Sequence, residues 1–332
     1  PGWIEHDVLS GMQGKARSDS KMLDINLIRR DFEKVKNAIA NKNEKTNINS
    51  LRELDAKHRE LLHECEQLRH ERNTTSKKIS EFRTEQEDAS ALIKTMKGVS
   101  NSIKQLEAEI KKLSGEIQEI LLKIPNIPAD DVPIGKDPLS NVEVKTWGNK
   151  KNFNFKPLPH WELGKTLDVL DLERASKISG TGFILYKGAG AMLERALYSF
   201  MLDLHTREHG YKEIIPPFLV NRSSMVGTGQ LPKLEEDMYK TSEEDLFLIP
   251  TAEVPVTNIH AKEILSYKDL PIYYTALTAC FRREAGSHGQ DTRGMIRVHQ
   301  FNKVELVKFV RPETSYDELE SLVSVAEKVL QL

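Results

Sequence analysis

From Leu54 onward, one residue in every three or four belongs to a single stripe: Leu54, His58, Leu61, Cys65, Leu68, Arg72, Thr75, Ile79 and Phe82. A second stripe runs through Leu92, Met96, Val99, Ile103, Leu106, Ile110, Leu113, Ile117, Ile120 and Ile124. Steps of four and three average 3.5 residues, the repeat of a left-handed coiled coil. Only Glu85-Gln86-Glu87-Asp88 separates the stripes, so the pattern predicts two helices folded back antiparallel on one another. About 35 residues at ~1.5 Å rise give an arm of roughly 50 Å. Ahead of it, Ile25, Ile28, Phe32, Val35 and Ile39 predict one short amphipathic helix over Leu23–Ala40. Pro125, Pro128 and Pro133 end the second stripe, and residues 125–141 have a linker's composition.

Beyond the linker the pattern changes. A short helical pattern spans Leu163–Leu172, and a glycine-rich entry leads to a strand ending at Tyr186. A long amphipathic helix is expected over Ala189–His209, closed by Gly210. Tyr211–Val220 is strand-like but contains Pro216 and Pro217, which cannot donate to a ladder, so it should be an edge or border another chain. Leu246–Ile249, Ile272–Cys280 and Met295–Phe309 are strand-like, and Tyr316–Leu332 is helical. Strands that follow one another without crossover helices point to an antiparallel sheet, hence an α+β class with a helical arm in front. The expected domains are the arm over residues 22–124, the linker, and a mixed domain over residues 142–332. Residues 1–21 are polar and irregular, lack a signal-peptide core, and are expected to be a tag or upstream extension before a natural start at Met22.

Composition narrows the partners. The formal net charge of −2 announces no nucleic acid globally, so any such contact must be local. From Arg69 to Arg83 five basic residues (Arg69, Arg72, Lys77, Lys78, Arg83) face two acidic ones (Glu71, Glu81). That patch suits phosphate contact, and equally a solvated coiled-coil face. Cys65 and Cys280 stand far apart in no CxxC pattern, which argues against disulfides and structural zinc and for a reducing compartment such as the cytoplasm. No run of 18 apolar residues predicts a membrane span.

Three motifs invite chemistry. His205-Thr206-Arg207-Glu208-His209 has the spacing of a zinc-peptidase helix, but it closes a helix just before Gly210, where basic side chains suit the dipole. Gly188-Ala189-Gly190 belongs to no complete dinucleotide fingerprint and is expected to be a turn. The third stretch, Thr275–Phe309, joins two strands through a loop and carries Arg282, Arg283, Arg293 and Arg297. Guanidinium groups pair bidentately with phosphate and carboxylate, so this is either an anion site or an ordinary charged hairpin. Cys280 is expected in the core, on the opposite strand face from Arg282.

The string from Ala279 to Phe301, with Phe281-Arg282-Arg283-Glu284 at its centre, resembles motif 2 of the class II aminoacyl-tRNA synthetases, in the form of the bacterial seryl-tRNA synthetases. Thr251-Ala252-Glu253 resembles that family's serine loop. Gly210 to Val220 resembles motif 1, and Gly227-Thr228-Gly229-Gln230-Leu231-Pro232 another stretch typical of it. The amino-terminal arm is similar to its tRNA-binding coiled coil. The resemblance implies activation of serine by ATP with Mg²⁺, and transfer to the 3′ end of tRNA(Ser), with tRNA(Sec) as a further acceptor. It implies that Arg282 bridges the serine carboxylate and the α-phosphate, Glu284 meets the adenine edge, Arg297 holds the far phosphates, and Phe301 stacks on adenine, with Arg283 beside them. Thr251 and Glu253, with Ala252 between, would hold the α-amino group, and Glu305 the serine side of the pocket. His288 would approach the tRNA end or ATP. The basic residues of the arm would take the tRNA, and Gly210–Val220 a second copy of the chain.

The family's third motif, a glycine-rich strand and helix ending in an arginine over the adenine, has no match between Phe309 and Leu332. The Mg²⁺-binding residues are expected beyond Leu332 too, so no metal ligand is assigned. On this reading residues 1–332 alone are inactive, the sequence being cut short or degenerate. A catalytically inactive, tRNA-binding relative is the competing expectation.

Overall fold

A computed structural model describes residues 23–85, 88–285 and 293–332. The expectations for the first 22 residues, for part of the turn between the stripes and for His288 fall outside these. Two compact units emerge, Met22–Gly148 and Asn149–Leu332.

In the first unit the amino-terminal pattern forms two helices, α1 (Ile25–Arg30) and α2 (Phe32–Asn41), where the sequence predicted one. The break is Asp31, with φ −137° and ψ 61°. It lets Ile28 of α1 and Val35 and Ile39 of α2 reach one apolar cluster with Leu51, Ile117, Leu121 and Ile124. A buried carboxylate fixes the arrangement: Arg29 of α1 donates from Nη2 and Nε to Asp55 at 2.6 and 2.9 Å, and Arg59 adds a third bond at 3.2 Å. Burial alone would raise the Asp55 pKa, but the hydrogen bond from Arg29 and the charges of Arg29 and Arg59 hold it below the ordinary carboxylate value.

The two stripes form α3 (Ile48–Thr84) and α4 (Ser90–Leu121). Asn47 caps α3, its side chain accepting from the N–H groups of Asn49 and Ser50. Every residue of both stripes is buried or half-buried, the polar ones included. His58 is tolerated on the seam because its Nε2 lies 2.9 Å from Ser114 Oγ on the facing helix. At ~1.5 Å per residue the 37 residues of α3 extend for about 55 Å. Lys57–Glu109 (2.7 Å) and Arg69–Glu107 (2.6 Å) bridge the helices. Such exposed pairs contribute ~0–1 kcal/mol each, so the apolar seam carries the stability.

The second unit opens with α5 (His160–Thr166) and α6 (Leu172–Ser179), where one helix over Leu163–Leu172 was expected. Asp171 caps α6, accepting from the Arg174 N–H. The predicted strand before Lys187 reduces to one bridge, Leu170 with Tyr186. Then α7 (Ala189–Arg207) follows. Tyr211–Val220 divides around its prolines into β1 (Lys212–Glu213) and β2 (Leu219–Asn221). After α8 (Arg222–Gly227), β3 (Leu246–Leu248) pairs antiparallel with β2 in a separate two-stranded sheet. Next come α9 (Glu253–Thr257), β4 (Ile272–Phe281), β5 (Gln300–Phe309) and α10 (Ser315–Gln331).

The main sheet is β1-β4-β5. The long β4–β5 pair is antiparallel as predicted, from Ile272 opposite Phe309 to Phe281 opposite Gln300, while the short β1 joins parallel. β5 begins at Gln300, so Met295–His299 is a run-in to the strand and not part of it.

Candidate active site

The register of β4 and β5 sets the site. Side chains opposite one another in an antiparallel pair share a face. Ala276, Thr278 and Cys280 therefore lie on the same face as Glu305, Lys303 and Phe301. Arg282 continues that parity one residue past the strand. The expectation that Cys280 and Arg282 take opposite faces is thus corrected: positions two apart on an extended chain point the same way. Cys280 is fully buried, with its Sγ 3.5 Å from Thr278 Oγ1, and burial pushes its thiol pKa up. It packs beneath the site as core, as the sequence suggested.

Past the end of β4 the chain is held on three sides. The Phe281 N–H donates to Ile249 O (2.8 Å), the Arg282 N–H to His299 O (2.9 Å), and the Arg283 N–H to Asp237 O (2.9 Å). His299 Nδ1 lies 2.9 Å from Arg282 O. With its backbone fixed, Arg282 extends over the Phe301 ring, 5.1 Å from its centroid, and donates from Nε to Pro250 O (3.3 Å). Glu284 follows with φ +51°, a left-handed conformation that costs a non-glycine residue on the order of 1 kcal/mol. In that conformation its carboxylate meets Arg297 Nη1 at 2.8 Å. Ahead of Arg297, Gly294 has φ +77°, and a Cβ there would collide with the His160 ring, whose Nε2 accepts from the Met295 N–H at 2.8 Å. Only glycine fits that crossing.

Opposite this run lies the entry to α9. Thr251 Oγ1 donates to Glu305 Oε2 (2.6 Å) and accepts from Lys303 Nζ (2.7 Å) and, more weakly, from the Glu253 N–H (3.3 Å). A hydroxyl offers one donor and two acceptor positions, so that of Thr251 is fully used. Lys303 Nζ also lies 2.8 Å from Glu305 Oε2.

Together these elements enclose a cleft of about 480 Å³. Thr251, Glu253, Arg282, Glu284, Arg297 and Lys303 line it. Five of those six were singled out from the sequence. Glu305 joins them through Thr251 and Lys303, and Phe301 through Arg282. Four predicted residues lie outside the lining: Glu305 and Phe301, joined to it through those contacts, and Ala252 and Arg283. Ala252 is buried in the core against Val256 and Ala276. Arg283 donates from Nη1 to Glu236 O (3.2 Å), which fastens the motif 2 turn to the segment before Met238. Lys303 was missed, although alternation along β5 places it between Phe301 and Glu305. Asp237 was missed too: its carboxylate accepts from the Ala285 N–H at 2.8 Å.

In the helical unit, Arg69 is committed to Glu107 and Arg72 is half-buried on the seam. Lys77, Lys78 and Arg83 are exposed and engage no described residue. His205 and His209 lie with their Nδ1 atoms 3.0 Å apart, and burial, then the neighbouring His209, lowers the His205 pKa. No described group of three or more His, Cys, Asp or Glu side chains is placed to hold a metal ion.

An antiparallel strand pair carrying an Arg-x-Glu turn into such a cleft is the core of a class II aminoacyl-tRNA synthetase. Residues 234–332 match the tRNA synthetase class II core domain (G, H, P, S and T), and residues 22–128 match the seryl-tRNA synthetase N-terminal domain. The chain is 54% identical over 312 residues to a serine–tRNA ligase of Bacillus pumilus, covering 94% of this chain and 74% of that protein. It is 56% identical over 311 residues to one from Acetivibrio thermocellus, with the same coverage. Its fold matches the crystal structure of a seryl-tRNA synthetase from Pyrococcus horikoshii complexed with ATP, at 36% identity and a TM-score of 0.85, over 93% of this chain and 74% of that one. The chain belongs to the seryl-tRNA synthetase family.

Proposed function

We propose that this protein activates serine with ATP and transfers the seryl group to tRNA(Ser), with tRNA(Sec) as a further acceptor, and that the cleft between Thr251 and Arg297 is where activation occurs. The observation that carries the reading is the convergence of Arg282 and Arg297 with Glu253 and Glu284 around one cavity, to which Glu305 is joined through Lys303 and Thr251. Two anionic reactants must approach there, and guanidinium groups between them lower that repulsion. A serine carboxylate oxygen attacks the α-phosphorus, the bond from phosphorus to the bridging oxygen of the β-phosphate breaks, and pyrophosphate leaves. A terminal ribose hydroxyl of the tRNA then attacks the seryl carbonyl, and AMP departs. No side chain acts as nucleophile; positioning and charge do the work.

Arg282, poised over Phe301, bridges the carboxylate and the α-phosphate. Arg297 holds the far phosphates and Glu284 the adenine edge, with Phe301 as a stacking surface. Glu253 takes the α-ammonium, and Glu305 accepts from the serine hydroxyl. Thr251, its hydroxyl already saturated, acts by fixing Glu305 and the Glu253 backbone. Arg283 serves the site by holding the turn. Mg²⁺ is expected with ATP, but the described residues supply no cluster that fits it, and no step here runs through the ion.

Lys77, Lys78 and Arg83, exposed on α3, are the arm's candidate phosphate contacts. The apolar surface of Gly210–Val220, with Ile215 at 84% exposure, is the candidate surface for a second copy. A cytoplasmic location fits two reduced cysteines, and no described helix is long and apolar enough to cross a membrane. Serine-dependent exchange of pyrophosphate into ATP, together with charging of tRNA(Ser), tests the reading. Intact tRNA binding without exchange would establish the inactive relative instead.

A further inference from the structure

We infer that Lys303 is the residue that sets serine selectivity, by holding the Glu305 carboxylate so that one of its two oxygens stays open to the substrate hydroxyl. The inference rests on the activity proposed above. Lys303 Nζ lies 2.8 Å from Glu305 Oε2 and donates to Thr251 Oγ1 at 2.7 Å, while Thr251 itself donates to the same Oε2 at 2.6 Å. Three polar atoms thus close a triangle on a single carboxylate oxygen. Glu305 Oε1 engages no described residue. The carboxylate cannot turn about its last bond without surrendering both contacts, so the orientation of Oε1 is set before substrate arrives.

The strand enforces this geometry. Lys303 and Glu305 are two apart on β5 and share its cleft face, opposite Thr278 and Ala276. Neither neighbour on β4 offers charge, so the ammonium has Glu305 and Thr251 as its partners. The Lys303 side chain is 32% exposed and that of Glu305 21%, so both are partly withdrawn from water and their pairing is stronger than a surface one. Lys303 also lines the cleft, as does Glu253. A site prepared to accept a substrate hydroxyl rejects an analogue lacking it, because the open oxygen is then left unpaired. Alanine is the analogue that reads this out. Without Lys303 the carboxylate is free to rotate, and the penalty for alanine falls.

The test is pyrophosphate exchange by the full-length protein, with serine and alanine as substrates, for the unaltered chain, Lys303→Met and Lys303→Arg, each checked for native melting. Lys303→Met should raise the serine KM roughly 10- to 100-fold, as loss of a charged hydrogen bond implies. The ATP KM should move less than about twofold and the preference for serine over alanine should shrink, while Lys303→Arg should recover part of both. A merely structural role would shift melting without changing the serine-to-alanine ratio, and would overturn the inference. So would an ATP KM rising as much as that for serine, which would make Lys303 a phosphate contact. Absence of serine-dependent exchange in the unaltered protein would overturn the proposed activity and this inference with it. Normal exchange there with unchanged selectivity in Lys303→Met would overturn the inference alone.

Discussion

In the helical unit, each seam side chain meets neighbours one turn away and the facing stretch of one partner helix. In the sheet unit, one oxygen of Glu305 is held by residues 2 and 54 positions distant in sequence. The first arrangement repeats, so it absorbs local damage; the second occurs once, so a single loss disables it. Removing the outer arm should therefore spare everything built in the sheet unit, and removing one side chain of the cleft should spare the arm.

The strongest separation expected is from deletion of Arg69–Lys97. Charging of tRNA should be lost with adenylate formation largely intact; parallel loss of both, measured on one preparation, would refute the arm's assigned role. Arg282→Ala inverts the pattern. Exchange should fall at least 10²- to 10³-fold, the scale of losing one well-placed charge donor, while tRNA binding and the circular-dichroism spectrum stay unchanged. Near-normal exchange would remove Arg282 from the reaction. Asp55→Ala should destabilise the helical unit by about 1–3 kcal/mol, because it strands Arg29 and Arg59, yet leave exchange at the unaltered rate.

The smallest effect concerns pH. Asp55 is held below its ordinary pKa, so its contribution is present above the unfolded value near ~4 and is lost as pH falls through the lower folded value. The gap in melting temperature between the unaltered protein and Asp55→Asn should narrow on acidification below about pH 4. A constant gap would mean that the carboxylate charge contributes nothing.

The same contrast governs what could be read from the chain in advance. The seam was legible down to its polar members, because one period runs through both helices. The break at Asp31 was not, since the short helix it ends is held by Arg29 on Asp55, 26 positions away. Pro216 and Pro217 argued for a strand at an edge or bordering another chain, but not that the segment divides into two strands in different sheets. Motif 2 was legible as a string, and the cleft collects most of the residues it nominated. Arg283 looked like Arg282 in sequence, but its side chain donates to Glu236 O and does not line the cleft. Lys303 was within reach of strand alternation, and the strand face of Cys280, though not its burial, was misassigned by ignoring it.

The pleat of β5 also acts as a graduated rule. Phe301, Lys303 and Glu305 are marks on one face spaced by about 6.6 Å, twice the ~3.3 Å rise of a strand, so roughly 13 Å separates the mark proposed for adenine from the mark proposed for serine. Such a scale cannot be stretched gradually. Inserting one residue between Phe301 and Glu305 would reverse the face of whichever mark lies downstream, and only a two-residue step would preserve both faces while changing the span. The distance between the two ends of the cleft is thereby quantised by the backbone, and side-chain evolution can retune each mark without moving it.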